Sequence, residues 1–95
     1  MSYLLETGYR GADLSLEIVY PSSVILRING LARDKVQGDV RNVVLRVSST
    51  VQTDYEWHEF IEGIVEYHCG TITARLVANN QELVNRQYTP RDPSP

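Results

Sequence analysis

Apolar and polar residues alternate from Asp13 to Tyr20, with Leu14, Leu16, Ile18 and Tyr20 on one side and Ser15, Glu17 and Val19 on the other. A period of two is the mark of a strand with one buried face. Pro21-Ser22-Ser23 then supplies turn chemistry, and Val24, Leu26 and Ile28 resume the alternation as far as Gly30, which predicts a hairpin. A shorter strand is expected over Tyr3 to Glu6, turning through Gly8 and Gly11. Val43, Leu45 and Val47 alternate with Val44, Arg46 and Ser48, a further strand extending towards Val51. Between Leu31 and Asn42 the runs Arg33-Asp34-Lys35 and Gln37-Gly38-Asp39 read as solvated turns.

From Thr53 the period changes. Thr53-Asp54-Tyr55-Glu56 has the spacing of a capping box, in which Thr and Glu each satisfy an otherwise unpaired backbone amide. At 100° per residue Trp57, Phe60, Ile61, Ile64, Val65 and His68 share one face, and Glu59, Glu62 and Glu66 share the opposite one. Gly70 stands where a left-handed stop is wanted. The segment Asp54 to Cys69 is therefore predicted to be an amphipathic helix. A strand is the competing reading, with Ile61, Gly63, Val65, Tyr67 and Cys69 alternating, and Gly63 disfavours a helix by roughly 1 kcal/mol. Beyond it, Ile72 to Ala78 and Leu83 to Tyr88 form strands joined through Asn79-Asn80, since asparagine tolerates the positive φ of a primed turn.

The expected fold is α+β: a curved antiparallel sheet of five to six strands packed on one helix, in the order β-β-β-α-β-β. That order also permits an OB-like barrel. The expected core sets Trp57, Phe60, Ile61, Ile64 and Val65 against Leu14, Leu16, Ile18, Leu26, Val43, Leu45 and Leu76. Residues 1–88 make one domain, and the three prolines of residues 89–95 predict a disordered tail.

Composition narrows function more by exclusion than by assignment. A single cysteine, Cys69, precludes an intramolecular disulfide, and with no apolar run long enough for a membrane span the expected setting is cytoplasmic. A net charge of −3 points neither to an acidic tail nor to a basic nucleic-acid protein. The charge is unevenly placed, however: five acids and no base lie between Asp54 and Glu66.

Glu59, Glu62 and Glu66, with His58 at their rim, are accordingly the candidate site for a partner protein with a basic surface. Such a site would suit a non-catalytic binding module, for example a small inhibitor or immunity-type factor. The alternative is an anion or single-stranded nucleic-acid surface made by Arg27, Arg46, Arg75 and Arg86 on neighbouring strands. A third reading is a self-assembling structural subunit that pairs exposed edges. His58 and Glu62 have ligand spacing on a helix, but no further motif completes a metal site, and none is expected. His68 and Cys69 diverge by about 100° on a helix and cannot act as a base and nucleophile pair. Neither enzyme chemistry nor a cofactor is called for by these residues.

Overall fold

The computed structural model describes residues 2–54 and 57–90. Eight strands follow one another: β1 (Ser2–Tyr9), β2 (Ala12–Val19), β3 (Ser23–Ile28), β4 (Leu31–Gln37), β5 (Leu45–Asp54), β6 (Trp57–His68), β7 (Thr71–Ala78) and β8 (Gln81–Tyr88). They form two four-stranded antiparallel meanders, β1-β2-β3-β4 and β5-β6-β7-β8. No helix occurs among the described residues, so the α+β expectation is overturned.

Four of the reversals obey one rule. Arg10-Gly11, Asn29-Gly30, Cys69-Gly70 and Asn79-Asn80 all have positive φ at both residues, the backbone twist that a two-residue hairpin needs. Two of them also carry the same clasp. Asn29 N donates to Asp13 O (2.7 Å) while its Oδ1 accepts from Asp13 N (2.9 Å). In the second sheet, Asn79 N donates to Phe60 O (2.9 Å) and its Oδ1 accepts from Phe60 N (3.0 Å). Each asparagine thus ties its turn to the next strand over.

The segment expected to be helical is instead the long strand β6, paired with β5 on one side and β7 on the other. Its inner face presents Glu59, Ile61, Gly63, Val65 and Tyr67, and its outer face His58, Phe60, Glu62, Ile64, Glu66 and His68. Phe60 and Ile64 therefore leave the expected core. Ile64 is nevertheless only 7% exposed, because the register sets Arg46 and Arg75 directly beside it and arginine stems cover apolar neighbours. Of the predicted cap, Thr53 and Asp54 end β5, while Tyr55 and Glu56 lie outside the described residues.

The run Leu31 to Gln37, expected as turns, is the edge strand β4. Its register with β3 shifts so that Arg33 is the unpaired extra residue. A bulge and the charges of Arg33 and Lys35 discourage pairing with another chain. Val43 is likewise not core: it is 52% exposed, in the connection 38–44 between the sheets. Of the expected tail, Thr89 and Pro90 follow the last strand, and residues 91–95 lie outside the described residues.

The sheets stack face to face over one core, with Leu5, Leu14, Leu16, Ile18, Val24 and Leu26 of the first against Val47, Ile61, Val65, Ile72 and Leu76 of the second. Strand β1 approaches β7 and β8, and β5 approaches β3 and β4. Side chains close both seams. Tyr3 stacks on Tyr88 with ring centroids 4.6 Å apart, and Tyr88 Oη donates to Leu4 O (3.4 Å). Desolvation holds the Tyr88 phenol above its usual pKa, with the Arg86 charge acting against it, so the donor proton is retained. At the other seam Asp34 Oδ2 accepts from Ser48 N (2.8 Å), covering an edge amide of β5.

The layers interlock tightly at Gly63. A methyl group there would lie 2.5 Å from Leu16 Cδ1 and 2.9 Å from Val47 Cγ2. Gly63→Ala is therefore expected to cost about 1–3 kcal/mol by overpacking, read from urea unfolding. Leu16→Ala alone should cost about 2–5 kcal/mol. The double variant should lose clearly less than the sum of the two, and additive losses would refute the contact as the cause.

Candidate functional site

One end of the sandwich gathers polar groups around a buried carboxylate. Tyr9 closes β1, Arg10 occupies the β1–β2 turn, His58 and Glu59 open β6, Asn79 occupies the β7–β8 turn and Gln81 opens β8. Together they line an open depression of about 640 Å³. Glu59 lies here because it shares the inward parity of Ile61 and Val65 and pairs with the buried Val51. Only 5% of the residue is exposed.

A carboxylate withdrawn from water needs partners for its oxygens. Glu59 Oε2 accepts from Asn79 Nδ2, and Asn79 is fixed in turn by its clasp on Phe60. Glu59 Oε1 faces only Arg10 Nη1 at 3.5 Å, an ion pair longer than a good hydrogen bond, and it accepts no hydrogen bond among the described residues. The Arg10 side chain is 63% exposed, and its Cζ stands 5.7 Å from the centroid of the Tyr9 ring. The arrangement is an acceptor oxygen beside an aromatic face, with an exposed cation loosely across both. It can hold a cationic group, and it offers no nucleophile and base pair among the residues that line it.

The predicted acidic row is divided by the strand. Glu59 points inward, whereas Glu62 and Glu66 lie half-buried on the outer face. Glu66 Oε1 accepts from Arg75 Nη2 at 2.8 Å, and Glu62 has no ion-pair partner among the described residues. His58 is exposed at the rim of the depression. On a strand His58 and Glu62 stand roughly 13 Å apart, so their expected proximity is lost, and no group of three metal-ligating side chains gathers among the described residues.

The predicted arginine cluster is assembled only in part, with Arg46 and Arg75 flanking Ile64 on one face. Arg27 is on the outer face of the first sheet, bonded through Nη1 to Glu17 Oε1 (2.7 Å). Arg46 and Arg75 are on the outer face of the second sheet, and Arg86 sits opposite Ala74 on the strand β8. Tyr9, Arg10, Asn79 and Gln81 were not among the sequence candidates. The Asn79-Asn80 turn was legible and places Asn79, but nothing local connects Arg10 with Glu59.

A second depression, of about 480 Å³, is lined by Pro21, Ser22, Ser23, Gln37, Gly38, Asp39 and Arg41. Several of its polar groups hold the connection between the sheets. Gly38 N donates to Ser22 O and Val40 N to Pro21 O, each at 2.9 Å. Asp39 accepts from Arg41 three times: from N (3.0 Å), Nε (2.9 Å) and Nη2 (2.9 Å). The hydrogen bonds from the Arg41 side chain, then that from its backbone, hold the Asp39 carboxyl below its ordinary value. This depression reads as structural.

The chain matches no protein-family model, no curated protein and no solved structure. No helix among the described residues is long and apolar enough to cross a membrane.

The Asp39 bonds give a signed pH dependence. With the folded pKa below the unfolded value of about 3.8, the contribution is full above that value and disappears as pH falls through the folded pKa. Asp39→Asn should therefore flatten the acid limb of stability below about pH 4, in thermal melts at stepped pH. Parallel acid limbs in the two proteins would refute the assignment.

Proposed function

We propose that this chain is a non-catalytic binding domain that engages a basic group of a partner protein at the Glu59 end of its sandwich. One observation carries the reading: a carboxylate with only 5% exposure leaves Oε1 without a hydrogen bond among the described residues, at the wall of an open depression. A carboxylate kept for stability would have both oxygens bonded or would be replaced by an apolar residue, since buried charge is seldom net stabilising. A partner cation reaching Oε1 would complete its coordination. Occlusion of a basic surface is the form of activity that fits a domain of this size. A cytoplasmic setting suits a chain with one cysteine, exposed in the β6–β7 turn.

The competing readings have less support. The arginines of the anion surface are divided between two sheets, and two of them are bonded to glutamates. Self-assembly through edges meets the Arg33 bulge on β4 and the side-chain closures of both seams.

Capture from source lysate by the parent, Glu59→Gln and Glu62→Gln separates these readings. The same partner should be held by the parent and by Glu62→Gln and be lost from Glu59→Gln, with affinity falling by about 2 kcal/mol or more. Glu59→Gln keeps an oxygen for Asn79, so its stability should stay within about 1 kcal/mol of the parent. A partner retained equally by Glu59→Gln would overturn the assignment.

A further inference from the structure

We infer that Glu59 and the Tyr9 ring form a cradle for an arginine side chain of the partner, and that Arg10 of this chain occupies the cradle as its intramolecular stand-in. The inference rests on the binding reading above and names the group bound. Arg10 shows which chemistry fits: its guanidinium lies against an aromatic ring and a carboxylate oxygen at once. A guanidinium is planar, stacks on rings, carries donors in a fixed fork and is more weakly hydrated than an ammonium. A lysine would meet the same oxygen as a strongly hydrated point charge and gain less from the ring.

Arg10 fits the cradle imperfectly. Its position in a two-residue turn, at φ 49°, fixes where its side chain starts, and the result is a 3.5 Å contact with most of the side chain in water. A contact this long, with the Arg10 side chain mostly in water, is readily exchanged. An arginine entering from outside is free of that tether and can approach Oε1 at hydrogen-bonding distance. Because Arg10 competes for the same place, the apparent affinity for any guanidinium is lowered by the fraction of molecules in which the cradle is filled. Arg10 thereby weakens the binding of isolated arginines and favours one presented on a surface that makes further contacts. Such a partner carries a protruding arginine near His58 and Gln81, which border the depression.

Arg10→Gly empties the cradle without backbone strain, because glycine adopts positive φ freely; Arg10→Asn serves the same purpose with a side chain that tolerates that region. Parent, Arg10→Gly and Arg10→Gly/Glu59→Gln would be titrated with Nα-acetylarginine methylamide and its lysine counterpart, following the Asn79 side-chain amide and the Phe60 backbone amide by ¹⁵N–¹H NMR. The expected result is saturable shifts in Arg10→Gly, roughly fivefold or more tighter than in the parent. The double variant should show none, and the lysine compound should bind more weakly than the arginine compound. Absence of saturable shifts in Arg10→Gly, equal affinity in parent and variant, persistence without Glu59, or equal response to lysine would each overturn the inference. Partner capture that depends on Glu59 while the arginine probe fails would remove the cradle alone. Capture indifferent to Glu59 would remove the binding reading itself.

Discussion

The missing side chain at Gly63 is the constraint on which the rest of the arrangement depends. Sheets stacked face to face sit about 10 Å apart, a gap that side chains from both layers fill. At Gly63 the second sheet contributes nothing, and Leu16 of the first sheet occupies the space, also reaching the neighbourhood of Val47. Leu16 is fully buried, as are Ile61 and Val65 on either side of the glycine. The knob and its hole lock the facing of β6. A one-residue slip would turn every side chain of that strand to the opposite face and drive Ile64 or Glu62 into Leu16. Since β6 pairs with both β5 and β7, its facing sets theirs.

The position of Glu59 follows from that parity. It lies two steps beyond Ile61 on the same face, so the alternation that buries Ile61, Gly63 and Val65 also turns Glu59 inward. At that end the Asn79 turn supplies one donor and the Arg10 turn supplies a cation. The clasp between Asn79 and Phe60 is repeated by Asn29 and Asp13 in the other sheet, where Asn29 donates to no carboxylate among the described residues. The clasp is thus a device of the fold. Only its donation to Glu59 belongs to the site.

Sequence legibility divides along the same lines. The strands around Leu14 to Tyr20, Val24 to Ile28 and Ile72 to Ala78 could be read because each has one buried and one solvated face, the condition under which a period of two is visible. Strand β4 could not, because an edge strand with Leu31, Ala32, Arg33 and Lys35 all exposed shows no apolar alternation. The alternation alone ends a strand at Asn29-Gly30, whereas Asn-Gly between extended runs is the strongest short hairpin signal. The arginine cluster was legible only in part because face parity can be read along each strand, whereas which sheet a strand joins cannot.

The misreading of β6 has a more specific origin. Three positions depart from strict alternation: Phe60 and Ile64 are apolar on the outer face, and Glu59 is charged on the inner one. Those departures convert a period of two into an apparent period of 3.6, with Glu59 falling in line with Glu62 and Glu66. Ile64 has a structural account, since Arg46 and Arg75 flank it. Glu59 has none in packing terms. An apolar residue there would continue the face of Ile61 and Val65 and would require neither Asn79 nor Arg10. Conflicts between local pattern and fold concentrate at functional positions, because a side chain retained against the interest of packing must be retained for something else. The residue that most misleads the periodicity is thus one that lines the depression, and among the described residues its Oε1 has only the long contact with Arg10.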